Sequence, residues 1–128
     1  MSPFRVLLVD DEEEFVATLA ERLELRGINT MVAGNGEEAL ASVKNDPPEV
    51  VVMDLMLPGM SGIEIMGEIK RNHPRIPVIL LTGRGSTKEG IEGMNQGAFD
   101  FLMKPVRIEE LITKMKNAVG ATQLEEQA

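Results

Sequence analysis

The chain predicts an α/β protein, a three-layer (βα)5 sandwich around a doubly wound, five-stranded parallel sheet. Two observations carry that prediction. The apolar runs Val6-Leu7-Leu8-Val9, Val50-Val51-Val52-Met53, Val78-Ile79-Leu80-Leu81 and Phe99-Asp100-Phe101-Leu102-Met103 have the length and character of strands buried on both faces. Segments with apolar residues at helical spacing alternate with them, and right-handed crossovers between parallel strands then place helices over both faces of the sheet.

The first strand is followed by a helix over residues 12–26, with Phe15, Val16, Leu19 and Leu23 on one face and Gly27 as its C-terminal cap. Ile28 to Ala33 has weak strand character. Asn35-Gly36-Glu37-Glu38 opens a second helix, with Ala39, Leu40 and Val43 inward, and Pro47-Pro48 ends it. After the third strand, Pro58 and Gly59 mark a loop, and Ser61 with Glu64 fits a capping box for a helix carrying Ile63, Met66 and Ile69. Pro74 and Pro77 bracket the approach to the fourth strand. A fourth helix is expected from near Ser86, with Glu89 three residues on. It is thinly apolar, with Ile91 and Met94 as its main contribution, which suggests a mobile or partner-facing helix. The last helix, from about Arg107 to Val119, has Ile108, Leu111, Ile112, Met115 and Val119 on one side and Gly120 beyond it. Residues 1–120 form one domain in this reading, and 121–128 a polar tail or the start of a linker.

At 128 residues the chain suits a single core. A net charge of −8 and a pI near 4.7 argue against a nucleic-acid binder, which would show a basic stripe. The absence of Cys removes disulfides and thiolate metal sites. No apolar stretch approaches the ~20 residues of a membrane span, and the N-terminus lacks a signal pattern. A soluble, cytoplasmic protein is the expectation.

Parallel strands align their C-terminal ends on one side of the sheet, where ligands bind in open α/β folds. That would bring together Asp10-Asp11, Asp54, Thr82 and Lys104-Pro105 from positions spread along the whole chain. Carboxylates drawn together repel and raise one another's pKa unless a cation joins them. With no Cys, and the only His far from these motifs, a hard divalent ion, magnesium or manganese, suits Asp10, Asp11 and Asp54. The plain alternative for the run Asp10 to Glu14 is a helix N-terminus favoured by the macrodipole, and that account suffices for Glu12, Glu13 and Glu14. Asp54 is placed to act as a nucleophile that forms an acyl phosphate; alone it would read as a strand-end residue capping a turn. Lys104 could neutralise charge on a phosphoryl oxygen and Thr82 could hydrogen-bond another, although singly they would read as a solvated lysine and a turn residue. A cis bond at Lys104-Pro105 would fix the direction of the lysine.

Val9-Asp10-Asp11, the stretch Asp54 to Gly62 (D-L-M-L-P-G-M-S-G), Leu81-Thr82-Gly83 and the stretch Gly97 to Pro105 occur in an order and spacing that resembles the receiver domain of two-component response regulators, over residues 4–119. The resemblance implies the flavodoxin-like strand order 2-1-3-4-5. It implies that Asp54 takes a phosphoryl group from a sensor histidine kinase or a histidine phosphotransfer protein. Asp11, Asp54 and the backbone carbonyl of Met56 would then ligate magnesium, with Asp10 holding a metal-bound water and Lys104 pairing with the phosphoryl group. Thr82 would swing toward the phosphoryl oxygen and Phe101 would turn inward, shifting a population between two states of a surface made by the fourth helix, fifth strand and fifth helix. Such a domain catalyses only its own phosphotransfer and dephosphorylation.

Several positions depart from the family pattern. The switch aromatic is Phe101 rather than Tyr, Gly83 leaves access beside Thr82, and Met56 and Arg84 occupy positions that tune dephosphorylation. Two other classes fit the motifs less well. An aspartate-nucleophile phosphatase of the haloacid-dehalogenase type would place a D-x-D pattern after the first strand, whereas here the pair is adjacent and position 12 is Glu. A dinucleotide-binding domain would need a Gly-rich turn there, and five acids would repel a pyrophosphate. A non-phosphorylated pseudo-receiver acting as a constitutive protein-binding module is the remaining alternative, opposed by the intact acidic set and Lys104. His73, in Asn72-His73-Pro74, reads as an exposed loop residue at the opposite end of the sheet, and most of the nine methionines as core filler, with Met60 and Met94 exposed. The expected assembly is a monomer, with phosphorylation-linked dimerisation through the fourth and fifth helices as a hypothesis.

Overall fold

A computed structural model describes residues 4–83 and 87–127. The elements alternate strictly: β1 (Arg5–Val9), α1 (Glu13–Leu25), β2 (Asn29–Ala33), α2 (Gly36–Asn45), β3 (Val50–Asp54), α3 (Gly62–Asn72), β4 (Val78–Thr82), α4 (Thr87–Asn95), β5 (Asp100–Met103) and α5 (Ile108–Gln127). All strand pairs are parallel, in the order β2-β1-β3-β4-β5. This is the expected three-layer sandwich.

Successive side chains of a strand point to opposite faces, so each apolar run feeds two cores. Val6, Leu8, Val50, Val52, Ile79, Leu81 and Leu102 pack under α1 and α5, against Leu19, Leu23, Leu111 and Met115. Leu7, Val9, Val51, Met53, Val78 and Leu80 face the other way, against Ala39 and Val43 of α2 and Ile65, Met66 and Ile69 of α3. Double-sided burial explains why these strands read as continuous apolar runs rather than alternating ones.

Local signals set the helix ends. Past α1, Gly27 adopts φ +79°, its N–H bonds the Glu24 carbonyl and the Ile28 N–H reaches Leu23 O, a complete Schellman closure. Asn35 caps α2 by accepting from Glu38 N at 2.9 Å, and Ser61 caps α3 by accepting from Glu64 N at 3.2 Å.

Helix α4 turns its apolar residues outward, in keeping with the partner-facing helix expected, whereas α5 runs past its expected end. The start of α4 near Ser86 lies outside the described residues, but the orientation of the helix is clear: Gly90 and Gly93 face the sheet, while Ile91 and Met94 are exposed. The space that side chains at 90 and 93 would need is already filled. A Cβ on Gly93 would lie 2.3 Å from Leu80 Cδ1, and one on Gly90 would lie 3.0 Å from the Phe101 ring. The difference lies in α5, which passes through Gly120 and continues to Gln127, where a polar tail was expected. Ala118 and Val119 are still buried at that point, and the Thr122 hydroxyl bonds the carbonyls of Ala118 and Arg75 at 3.2 and 3.3 Å. These contacts offset the roughly 1 kcal/mol that an interior glycine costs a helix.

Candidate functional site

Strand order reverses between β1 and β3, so the chain leaves these neighbouring strands in different directions and opens a crevice at their carboxyl ends. Asp10 immediately follows β1, Asp54 ends β3, Thr82 ends β4 and Lys104 follows β5. The register places Asp54 beside Leu81 and Thr82 beside Met103. One edge of the sheet therefore carries all four.

Backbone groups orient the carboxylates. Asp10 Oδ1 accepts from Glu12 N at 2.9 Å and Asp54 Oδ1 accepts from Met56 N at 3.0 Å, each a side chain closing the turn after its own strand. The other oxygens face Lys104. Its Nζ lies 2.9 Å from Asp10 Oδ2, 3.0 Å from Asp54 Oδ2 and 2.8 Å from Glu12 Oε1, and 4.5 Å from the centroid of the Phe15 ring. The Lys104-Pro105 bond is cis, and Lys104 N–H donates to the Thr82 carbonyl at 2.7 Å. Asp10, Asp54 and Thr82 are all buried.

Burial in so acidic a place has opposite consequences for the two partners. Desolvation pushes the Asp10 carboxyl up, with the Asp54 charge in the same direction, and the Glu12 N–H and Lys104 only partly oppose it. Burial by itself would lower Lys104, but its hydrogen bonds to Glu12 and Asp54 and its ion pair with Asp10 outweigh it and hold the ammonium protonated well above neutral pH.

Oxygens of Asp10, Glu12 and Asp54 lie within 4.8 Å of one another. Asp10 Oδ2 is buried and receives no hydrogen bond, because Lys104 approaches it at ion-pair distance without donor alignment. An all-oxygen set with an orphaned buried carboxylate oxygen fits a hard divalent ion. Asp11 is exposed and stands outside this trio, while Met56, whose carbonyl was expected to be a ligand, has an exposed side chain.

Thr82 Oγ1 donates to the Leu102 carbonyl at 3.4 Å, and Phe101 is half-buried against the core under α3. A Cβ on Gly83 would meet nothing within 4 Å, so space beside Thr82 is open. Arg84 lies outside the described residues. His73 caps the C-terminal end of α3, toward the opposite edge of the sheet, and lines a groove of about 400 Å³ with Leu40, Val43 and Ile69. Met94 is exposed as expected, but Met60 is half-buried, and Met56 and Met103 are the other exposed methionines among the described residues.

Two members of the site were read as helix residues in the sequence. Glu12 belongs to a run of acids suited to a helix N-terminus, and Phe15 to the apolar face of α1. Neither carries a motif that announces Lys104, which is 92 positions away from Glu12.

Comparisons with known proteins agree with this geometry. The response regulator receiver domain family matches residues 6–116. The probable transcriptional regulatory protein TcrX of Mycobacterium tuberculosis is 36% identical over 120 residues, covering 94% of this chain and 51% of its own. The transcriptional regulatory protein CpxR of Klebsiella pneumoniae is 37% identical over 123 residues, covering 96% of this chain and 52% of its own. The chain thus spans about half the length of these curated relatives. A solved response regulator receiver domain protein from Clostridium thermocellum superposes with a TM-score of 0.90 at 32% identity, over 94% of this chain and 98% of that one. Among the described residues no helix is long and apolar enough to cross a membrane. With the strand order, the carboxylate crevice and the apposed lysine all in place, the chain belongs to the response regulator receiver domain family of two-component signalling.

Proposed function

We propose that Asp54 is the phosphoryl acceptor of this receiver domain and that a sensor histidine kinase, or a histidine phosphotransfer protein, is the donor. The observation that carries this reading is the pairing of a buried strand-end carboxylate with one lysine: Asp54 has one oxygen oriented by Met56 N and the other 3.0 Å from Lys104 Nζ. An Asp54 oxygen attacks the phosphorus of phosphohistidine. The new O–P bond forms as the P–N bond breaks, and the electron pair leaves with the imidazole nitrogen, which takes up a proton. Lys104 remains protonated throughout and offsets charge on the phosphoryl oxygens, so the protein contributes chiefly positioning and electrostatics.

Asp10, Asp11, Asp54 and the Met56 carbonyl are the proposed holders of magnesium, with manganese as a substitute and Glu12 as a nearby carboxylate. The ion would supply Lewis-acid neutralisation of the phosphoryl oxygens. Water attack on the acyl phosphate returns Asp54 to its carboxylate.

The switch is read through Thr82 and Phe101. Thr82 Oγ1 holds the Leu102 carbonyl only at 3.4 Å, a long bond that a phosphoryl oxygen can replace. Movement of Thr82 would draw Phe101 inward and re-seat α4 and β5, whose exposed Ile91, Met94 and Met103, with Phe99 just before β5, offer a partner surface. TcrX and CpxR are named as transcriptional regulators, and by that likeness the proposed output is a transcriptional module. Residues 121–128 are proposed to continue toward it.

Intact-protein mass after incubation with magnesium and acetyl phosphate tests the acceptor. The expected result is a gain of one phosphoryl mass, absent without magnesium and absent in Asp54→Asn. No gain, with magnesium binding shown separately by calorimetry, would favour a pseudo-receiver instead.

A further inference from the structure

The residue at the N-cap of α1 breaks a local rule. Ser, Thr, Asp and Asn are preferred there because a short side-chain oxygen can accept from the free N–H groups of the first turn, as Asn35 and Ser61 do for α2 and α3. The N-cap of α1 is Glu12, and its side chain makes no cap hydrogen bond. Its carboxylate points across the crevice instead, to Lys104 Nζ at 2.8 Å. Helix-dipole stabilisation accounts for Glu13 and Glu14 in the first turn, but not for a capping position given over to a contact with another strand end.

The three carboxylates around Lys104 are not equivalent. Asp10 and Asp54 sit on strand ends with side chains 2% and 10% exposed, whereas the Glu12 side chain is 62% exposed. Lys104 donates to Glu12 and Asp54 and lies at ion-pair distance from Asp10, so carboxylates surround the ammonium before any phosphoryl group arrives. A phosphoryl oxygen on Asp54 therefore competes with them for the ammonium. Glu12 is the partner that leaves at least cost, since it departs into water and regains rotamer freedom.

Building on the Asp54 reading, we propose that Glu12 is a displaceable latch on Lys104: it holds the ammonium over Asp54 in the unphosphorylated protein and gives way to the phosphoryl oxygens once they are in place. Glu12 is a positioning residue acting through Lys104. Its removal should ease formation of the acyl phosphate while leaving decay unchanged, because the latch is already open in the phosphorylated state.

The variants Glu12→Gln and Glu12→Asp test this, and neither removes a side-chain cap. Gln deletes the charge; Asp keeps the charge but is one methylene too short for the contact and is itself a good cap. Lys104 is first probed without phosphorylation, by limiting acetic anhydride and peptide mass analysis. Both variants should raise Lys104 labelling. Both should also raise the initial rate of phosphorylation by acetyl phosphate, by roughly two- to fivefold, the scale of a half-exposed ion pair. The decay constant should match wild type, and the magnesium affinity by calorimetry should fall by well under tenfold.

Unchanged labelling in Glu12→Gln would overturn the latch. Wild-type behaviour of Glu12→Asp would overturn it in favour of charge alone. A tenfold loss of magnesium affinity in Glu12→Gln would make Glu12 a metal ligand instead. If labelling responds while wild type gains no phosphoryl mass, the acceptor reading fails and the displacement step falls with it, leaving the Lys104 contact established.

Discussion

Helices α3 and α4 flank β4 on the same face of the sheet, yet they attach to it by opposite means. α3 is held by large side chains, with Ile65, Met66 and Ile69 buried, and by the Ser61 cap. Its first residue, Gly62, lies so close to β3 that a Cβ there would be 2.6 Å from the Asp54 carbonyl oxygen. α4 rests on the sheet through Gly90 and Gly93 and turns Ile91 and Met94 to solvent. The helix beside Asp54 is thus fixed by packing, whereas the helix beside Phe101 buries little of its own apolar surface. Segments with few buried apolar contacts open and shift at low cost, so the proposed acceptor sits next to the rigid helix and the proposed readout next to the loose one.

The strongest way to break this contrast is to remove the packing of α3. Ile65→Ala should cost about 2–5 kcal/mol, because the side chain is fully buried and the cavity collapses only in part. Urea unfolding followed by circular dichroism measures it, as the chain has neither Trp nor Tyr for fluorescence. Next is Gly62→Ala, which sets a Cβ against β3 backbone that cannot give way. A loss of about 1–3 kcal/mol is expected, with slower phosphorylation of Asp54 in the mass assay. Gly93→Ala is a gentler challenge, since the obstacle is the end of the Leu80 side chain and alanine favours the helix by about 1 kcal/mol; the net loss should be smaller than at Gly62 in the same unfolding assay. At the bottom of the series, Ile91→Ala should change stability by no more than about 0.5 kcal/mol while weakening any partner that uses the α4 and β5 surface.

The acid cluster yields a pH test that sharpens the same picture. Folding raises the Asp10 pKa, so the native state binds that proton more tightly than the unfolded chain does. Its contribution is favourable below the unfolded carboxylate pKa and is lost as pH rises through the folded value, leaving a buried charge at neutral pH. In magnesium-free buffer Asp10→Asn should therefore be more stable than wild type at pH 7, and the gain should shrink as pH falls through the titration of Asp10. Thermal melts from pH 4 to 8 measure this. Lys104 follows the same sign in a different window: with its pKa raised by folding, its contribution is present through neutral pH and lost only in strong alkali.

The four strand runs were legible because double-sided burial demands unbroken apolar residues, and Asp10, Asp54, Thr82 and Lys104 were legible because each directly ends or follows such a run. The caps Asn35 and Ser61 and the Gly27 closure follow from local chemistry alone. Glu12 was hidden for the converse reason: nothing within a turn of it needs it, and its partner is on another strand. The outward face of α4 was legible in its thin apolar pattern, but its cause was not: the sheet below is already filled by Leu80 and Phe101 and leaves little room for a side chain at 90 or 93. The end of α5 was placed too early because Gly120 is a plausible stop, and the Thr122 bond to the Arg75 carbonyl depends on a loop distant in sequence.

Amide hydrogen exchange on the protein before and after phosphorylation by acetyl phosphate in magnesium tests the central contrast most directly. The account predicts that exchange in residues 87–103 changes on phosphorylation while that in residues 62–72 stays as it was. Equal changes in both helices, or changes confined to α3, would contradict it.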